Sequence, residues 1–318
     1  MSALLRGPLR WIHAAPRARV AFSVLLTVTV LTAGFATAPA AAAGDDLQRA
    51  PGLVVRDDRG VQHHFSHPPQ RVITLLPSLT ETVCAIGECG RIVGTDRYSN
   101  WPAEVVALPK LGGIDDALIE RIVALKPDVV LSAISTRAVQ RIESLGIRVL
   151  AFDSDSHEQV RASLMRVATL LAAEPQARSV WAAIEVQIEQ AAQRVPTALR
   201  GRAVYFEADA GPYAAGAASF VGQTLARLKL ANIAPASMGA FPKLNPEFVV
   251  RAQPFVIFVE QQHAAALAQR PGWSGLQALK QGHVCAFEPA AFELLTRPGP
   301  RMGQAALTMA DCLAGLAP

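Results

Sequence analysis

Glu120-Arg-Ile-Val-Ala-Leu-Lys-Pro127-Asp-Val-Val and Glu247-Phe-Val-Val-Arg-Ala-Gln-Pro254-Phe-Val-Ile are one phrase written twice. In each, seven positions separate the glutamate from the proline, and a β-branched run follows. The phrase predicts a short helix with an acid near its start, ended by a proline-directed turn into a buried parallel strand. A unit that recurs once, 127 positions later, predicts two similar lobes, since a solenoid needs at least three copies.

Strand and helix patterns alternate around both copies. Residues 44–60 read as a loose lead-in, and Val61 to Phe65 as an edge strand before Pro68-Pro69. Val72-Ile-Thr-Leu-Leu76 is a strand, and Pro77-Ser78 opens a helix that Gly87 ends. Ser78-Leu-Thr-Glu81 has the form of a capping box. Short strands follow at Ile92-Val-Gly94 and Val129-Val-Leu131, then a helix from Thr136 to Leu145 and a strand from Ile147 to Phe152. Later strands run from Ala203 to Phe206, Phe255 to Val259 and His283 to Phe287, with helices from Phe220 to Leu228 and about Gly303 to Leu316. Between the two series, residues 156–195 contain no glycine and a single proline, Pro175, which predicts one or two long helices. The expected class is therefore α/β, with two similar lobes of parallel sheets flanked by helices, joined by a long rigid backbone helix. The divisions are 1–43, 44–70 (lead-in with its edge strand), 71–155 (N-terminal lobe), 156–196 (linker) and 197–318 (C-terminal lobe).

The chain has 318 residues and a formal charge of +4, but residues 1–43 carry four arginines and no acids. Without them the charge is zero, which leaves no electrostatic footprint for nucleic acid. That basic start, the apolar run from Val20 to Leu31 and the small residues ending at Ala43 have the form of a cleavable secretory signal peptide. The expectation is export; an uncleaved membrane anchor is the alternative. In an oxidising compartment Cys84, Cys89, Cys285 and Cys312 permit three pairings, of which the two local ones, Cys84 with Cys89 and Cys285 with Cys312, are favoured. Buried free thiols are the alternative.

The motifs of common enzymes are missing: there is no Gly-x-Ser-x-Gly elbow, Walker loop, Gly-x-Gly-x-x-Gly or His-Glu-x-x-His. His63-His64 with His67 has metal-binding residue types, but strand alternation splits the first two and no acid or cysteine completes a shell. No cofactor or metal is expected. Aromatic residues instead gather on loops after strands: Tyr98 and Trp101 after Ile92-Val-Gly94, Tyr213 after Ala203 to Phe206, and Phe241 before the second glutamate helix. Glu293 and Arg297 follow the strand ending at Phe287. Open α/β sheets bind ligands beyond the carboxyl ends of their strands, so these loops predict one cleft between the lobes. Asn245-Pro246-Glu247 is a favourable helix start in its own right, whereas Asp116 lies four residues before Glu120 and is expected to repel it on one helix. Matched acids on two lobes suit docking to a basic, two-fold partner.

From Arg71 onward the chain resembles the periplasmic substrate-binding proteins of ABC importers, helical-backbone class, and within them the cobalamin binders. The resemblance rests on Arg71-Val-Ile-Thr-Leu-Leu-Pro-Ser-Leu-Thr-Glu81, Val93-Gly-Thr-Asp-Arg-Tyr-Ser-Asn-Trp-Pro102, the Glu120 phrase and Arg297-Pro-Gly-Pro-Arg301. It implies a monomeric carrier in the periplasm that holds a corrinoid between Tyr98, Tyr213, Phe241, Glu293 and Arg297, to which the loop reading adds Trp101. It also implies that Glu120 and Glu247 meet arginines of a membrane permease. The chain departs from the family at Gly112-Gly113, where cobalamin binders have a tryptophan and haem binders a tyrosine. It also lacks the family's cysteine in the helix after Gly211-Pro-Tyr213, which leaves Cys312 to pair elsewhere or stay free. A ferric siderophore or haem carrier is the alternative within the class. A periplasmic hydrolase is a remote one, lacking a recognisable nucleophile.

Overall fold

The computed structural model describes residues 52–316 other than Pro212, so the expected signal segment 1–43 lies outside the described residues. The lead-in is more ordered than expected: β1 (Leu53–Arg56) pairs antiparallel with β2 (Gln62–Phe65). Val55 and Phe65 pack into the N-terminal core, and the buried Asp57 carboxylate receives the backbone N–H groups of Arg59, Val61 and Ala151. That last contact ties the hairpin to the lobe, a long-range bond that local pattern does not reveal.

The N-terminal lobe is a four-stranded parallel sheet of β3 (Val72–Thr74), β4 (Ile92–Thr95), β5 (Val129–Ala133) and β6 (Val149–Phe152), in the order β4-β3-β5-β6. It is flanked by α1 (Pro77–Ala85), α2 (Ile119–Ala124) and α3 (Val139–Ser144). Val129 and Leu131 enter one core while Val130 enters another on the opposite face. Both faces are covered, which is why the strands read as unbroken apolar runs.

Next come α4 (His157–Leu171) and α5 (Glu174–Arg194), two helices rather than one. A reciprocal Ser156–Gln159 capping box starts α4, left-handed Ala172 ends it, and Pro175 sits in the first turn of α5. The 21-residue α5 is about 30 Å long and shares the cores of both lobes. Ala177 belongs to the N-terminal core, Ile184 and Ile188 to the C-terminal one, and Val180 and Trp181 touch both.

The C-terminal lobe contains β7 (Ala203–Asp209), β8 (Tyr213–Ala214), β9 (Ala231–Asn232), β10 (Val256–Glu260) and β11 (Val284–Phe287). Its order is β11-β10-β7-β8 with β9 also on β7, and only β8 is antiparallel. The helices are α6 (Phe220–Arg227), α7 (Pro246–Ala252), α8 (Gln261–Ala264), α9 (Gln277–Lys280), α10 (Pro289–Thr296) and α11 (Met302–Gly315). Val256 and Phe258 enter one core, Ile257 and Val259 the other. Among the described residues no helix is long and apolar enough to cross a membrane.

The repeated phrase folds alike in both lobes. Glu120 sits in the first turn of α2, which precedes β5, and Glu247 in the first turn of α7, which precedes β10. The likeness extends to the backbone: Lys126 and Gln253, each just before the proline, adopt φ values of 46° and 44°. A left-handed residue reverses the chain at a helix end, and the following proline prevents the helix from resuming.

Two local expectations fail. Ser78 is not an N-cap; α1 begins at Pro77, its cap position is Leu76 without a side-chain bond, and Glu81 is fully buried. Its carboxylate accepts from Arg297 Nη1 at 3.0 Å and from Arg301 Nε at 2.8 Å, a tertiary pairing across the lobes that overrides the local cap. Asp116 lies outside α2, receives Gly113 N at 2.9 Å and pairs with Arg97, so it does not repel Glu120 on a shared helix.

Both local disulfides are formed, Cys84–Cys89 and Cys285–Cys312. The first spans 5 positions and the second 27, so loop closure makes the second worth about 1.5 kcal/mol more. Cys285→Ala with Cys312→Ala should therefore lower the urea unfolding free energy by more than Cys84→Ala with Cys89→Ala; equal losses would contradict the loop-closure account.

At the lobe junction, Phe220 N donates to the Asp155 carbonyl at 2.5 Å, and His157 Nε2 lies 3.0 Å from the Phe220 carbonyl and 2.8 Å from Thr224 Oγ1. Burial, helped by Arg227, holds the His157 pKa below 6.5 against the Phe220 hydrogen bond and Glu185. Because the folded state resists protonation, this contribution is present above 6.5 and is lost as pH falls through the lowered value. His157→Gln should make stability fall less steeply between about pH 7 and about pH 5 than in the parent, measured by urea unfolding across that range.

Candidate functional site

The carboxyl ends of β3, β5 and β6 open onto a cavity of about 570 Å³ between the lobes. Leu76 to Ser78, Ala133 to Ser135 and Phe152 to Asp155 line its N-terminal wall, and Phe241 and Thr296 to Pro298 its C-terminal wall. A second space of about 320 Å³ adjoins it at Phe241 and Thr296 and reaches Ala208, Asp209 and Tyr213 at the end of β7.

Backbone pairing sets the two C-terminal aromatics. Ala214 N donates to Pro242 O at 2.9 Å and Gly216 N to Ala240 O at 2.8 Å, which lays the Tyr213 segment along the Phe241 segment. The approach requires glycine, since a Cβ at Gly216 would lie 2.7 Å from the Gly239 carbonyl. Phe241 rests edge-on against Phe220, with ring centroids 6.2 Å apart, and Lys243 Nζ lies 5.5 Å from the Tyr213 ring centre. Both aromatics are partly exposed to the cleft.

Tyr98 and Trp101 stand beside the cleft and are absent from its lining. Their loop hangs on a buried polar chain. Asp96 receives Tyr98 N at 2.7 Å and the Ser99 hydroxyl, Ser99 Oγ meets Thr80 Oγ1 at 2.7 Å, and Thr80 Oγ1 meets Thr74 Oγ1 at 2.6 Å. Burial pushes the Asp96 carboxyl above its usual range despite those bonds and the nearby Lys110, which donates to Ser99 O at 2.7 Å. Tyr98 is 61% exposed, with Arg97 over its ring. A Cβ at Gly113 would come within 3.3 Å of Tyr98 Cε2, so the ring covers the stretch that lacks an aromatic of its own. Trp101 stacks under Arg301, 4.5 Å from the guanidinium carbon.

Arg297 lines the cavity but is largely committed to protein. It donates to Glu81 at 3.0 Å, Asn100 Oδ1 at 2.8 Å, Tyr98 O at 3.2 Å and Glu293 at 2.6 Å. Glu293 also receives Asn100 Nδ2 at 3.0 Å and lies outside the cavity lining. The structure thus brings Phe241, Tyr213 and Arg297 to the cleft and places Tyr98, Trp101 and Glu293 in the network at its edge.

Aromatic content alone missed Ser78, Ser135, Asp153 and Asp155 on the opposite wall. All four follow the carboxyl ends of strands, so the strand-end rule applied without an aromatic filter would have reached them. Asp155 has its pKa raised by burial and by the charge of Asp153.

Glu120 is exposed and forms no ion pair among the described residues; Glu247 is 80% exposed, with Arg251 Nη1 3.9 Å away. An exposed pair at that distance holds the carboxylate weakly. His63 turns inward toward Asp57 at 3.5 Å while His64 faces out, so the two do not converge. Among the described residues, the one group with metal-ligand geometry joins Glu104 to Cys84 and Cys89, and those sulfurs are bonded to each other.

A strand-end cleft between two lobes is a place where open α/β sheets hold ligands, and comparison with known proteins agrees. A vitamin B12-binding protein of Salmonella paratyphi A is 31% identical over 65% of this chain and 78% of its own length. A Bacillus subtilis protein described as an uncharacterized ABC transporter substrate-binding lipoprotein, YvrC, is 26% identical over 77% of this chain and 80% of its own. A solved periplasmic heme-binding protein from Pseudomonas aeruginosa superposes with a TM-score of 0.68 at 21% identity, covering 79% of this chain and 94% of that one. The model of the periplasmic binding protein family matches residues 72–291, which take in both sheets and the helices that join them, and the chain belongs to that family of substrate-binding transport proteins rather than to any family of enzymes.

Proposed function

We propose that this chain is an exported carrier that captures a cobalamin-like corrinoid in the inter-lobe cleft and delivers it to an ABC permease. The observation that carries the reading is the cleft itself: a wide, mostly apolar space flanked by Phe241 and Tyr213, with polar groups on the facing wall. That combination suits a large ring with an amide-bearing rim. A corrinoid brings its own cobalt ligands and asks the protein for none, and among the described residues no histidine, cysteine or methionine lines the cleft. The B12-binding relative supports the same ligand class. The signal peptide proposed for residues 1–43 places the carrier in the periplasm.

Tyr213 favours a second reading, haem, because a tyrosine oxygen can ligate haem iron. The likeness to the heme-binding structure concerns the fold alone at 21% identity. Titrating the purified mature chain with cyanocobalamin, haem and a ferric hydroxamate, followed by calorimetry and absorbance, separates the readings. Corrinoid binding is expected, and binding of haem alone would replace the first reading by the second.

Phe241→Ala and Tyr213→Ala should each weaken corrinoid binding by up to about tenfold, the scale of an aromatic face lost against a flat ring. Their unfolding midpoints should match the parent, since both rings are partly exposed. Unchanged affinity in both variants would show that the ligand sits elsewhere.

Delivery assigns a separate role to the exposed carboxylates of Glu120 and Glu247, which suit bidentate contacts with permease arginines. Glu120→Ala with Glu247→Ala should leave ligand affinity unchanged and abolish transport in cells that depend on the carrier. Normal uptake by the double variant would reduce both to ordinary helix-start acids.

A further inference from the structure

Ser78 was singled out in the sequence as a helix cap, and the fold gives it no capping work. Its residue is 4% exposed, yet it lines the inter-lobe cavity, and its hydroxyl has no hydrogen-bond partner among the described residues. It stands at the second position of the nine-residue α1, whose Leu76 cap leaves the helix end without a side-chain acceptor. The next two N–H groups, of Leu79 and Thr80, both go to the Leu76 carbonyl, while that of Ser78 finds no acceptor among the described residues. Ser78 therefore brings two donors to the cavity lining at the positive end of a helix. Arg297 lines the same cavity, with its guanidinium held by Glu81 and Glu293. Gly299 packs over the Ser78 backbone and contributes no side chain that could cover the hydroxyl.

We infer that Ser78 is an oxygen-recognition subsite, its hydroxyl and backbone N–H taking one acceptor oxygen on the rim of the bound ligand. The inference rests on the carrier reading. In a corrinoid that oxygen is the carbonyl of a peripheral amide; in haem it is a propionate carboxylate. The helix end and the two Ser78 donors select an acceptor over a donor, so the subsite sets the rotational position of the ring, which the aromatic faces do not.

The test titrates the parent, Ser78→Ala and Ser78→Asp with cyanocobalamin and, separately, with haem. With whichever ligand the parent binds, Ser78→Ala should weaken affinity roughly three- to tenfold by removing one donor. Ser78→Asp should weaken it further by presenting an acceptor to an acceptor. Unfolding midpoints of Ser78→Ala close to the parent's show that the loss is one of binding rather than of folding. Equal affinity of Ser78→Ala and the parent, or tighter binding by Ser78→Asp, overturns the subsite while leaving the carrier reading intact. A parent that binds haem and not the corrinoid overturns the corrinoid reading alone. A parent that binds neither overturns both.

Discussion

A fully buried carboxylate held by two arginines from the other lobe is the contact on which the cleft depends. Glu81 projects from α1 of the N-terminal lobe, and Arg297 and Arg301 flank the turn between α10 and α11 of the C-terminal lobe. A carboxylate taken out of water requires charged hydrogen-bond partners, and removing one partner from such a set costs about 3–5 kcal/mol. The group need not add net stability to matter, because a buried ion set is satisfied in one lobe arrangement and badly unsatisfied in others. Each arginine also reaches further: Arg297 holds the Tyr98 carbonyl and Asn100, and Arg301 covers Trp101. One charge requirement thereby places the 96–101 loop, the α10–α11 turn and the start of α1 at a common edge.

Rigidity comes from α5. A hinge works when few contacts cross it, and here the connecting helix contributes side chains to the cores of both lobes, with Val180 and Trp181 shared between them. Bending the lobes apart would expose apolar area on both sides of the helix, at about 25 cal/mol per Å². The junction at His157, Phe220 and Thr224 adds polar contacts to the same seam.

The two walls of the cleft differ chemically for topological reasons. The N-terminal wall consists of the strand ends and first turns of a fully parallel sheet, so it presents short polar groups such as Ser78, Ser135 and Asp155. On the C-terminal side the antiparallel β8 and the Phe241 segment extend β7 outward and present aromatic faces. A molecule held between the walls would meet aromatic faces on one side and hydrogen-bonding atoms on the other.

Much of this protein was legible in the sequence because it is local. Period, proline placement and the repeated glutamate phrase specify the short helices, the buried strands and the two-lobed plan, and Pro175 with the glycine-free run specifies the helical connection. Adjacent cysteines in space were read from nearby elements, and both pairs are formed. What sequence reasoning mistook are residues whose role is set by partners far along the chain. Glu81 reads as half of a capping box until Arg297 and Arg301, more than 200 positions later, claim its carboxylate. Asp116 reads as a helical neighbour of Glu120 until Arg97 takes it. Trp101 and Glu293, expected at the ligand site, stand at the edge of the cleft, where Arg301 covers the one and Arg297 pairs with the other. Ser78 became a candidate donor to the ligand only when its capping partner was taken away. Local propensity decides which elements form; which of two uses a polar side chain is put to depends on which partner relieves its burial, and only the tertiary structure decides that.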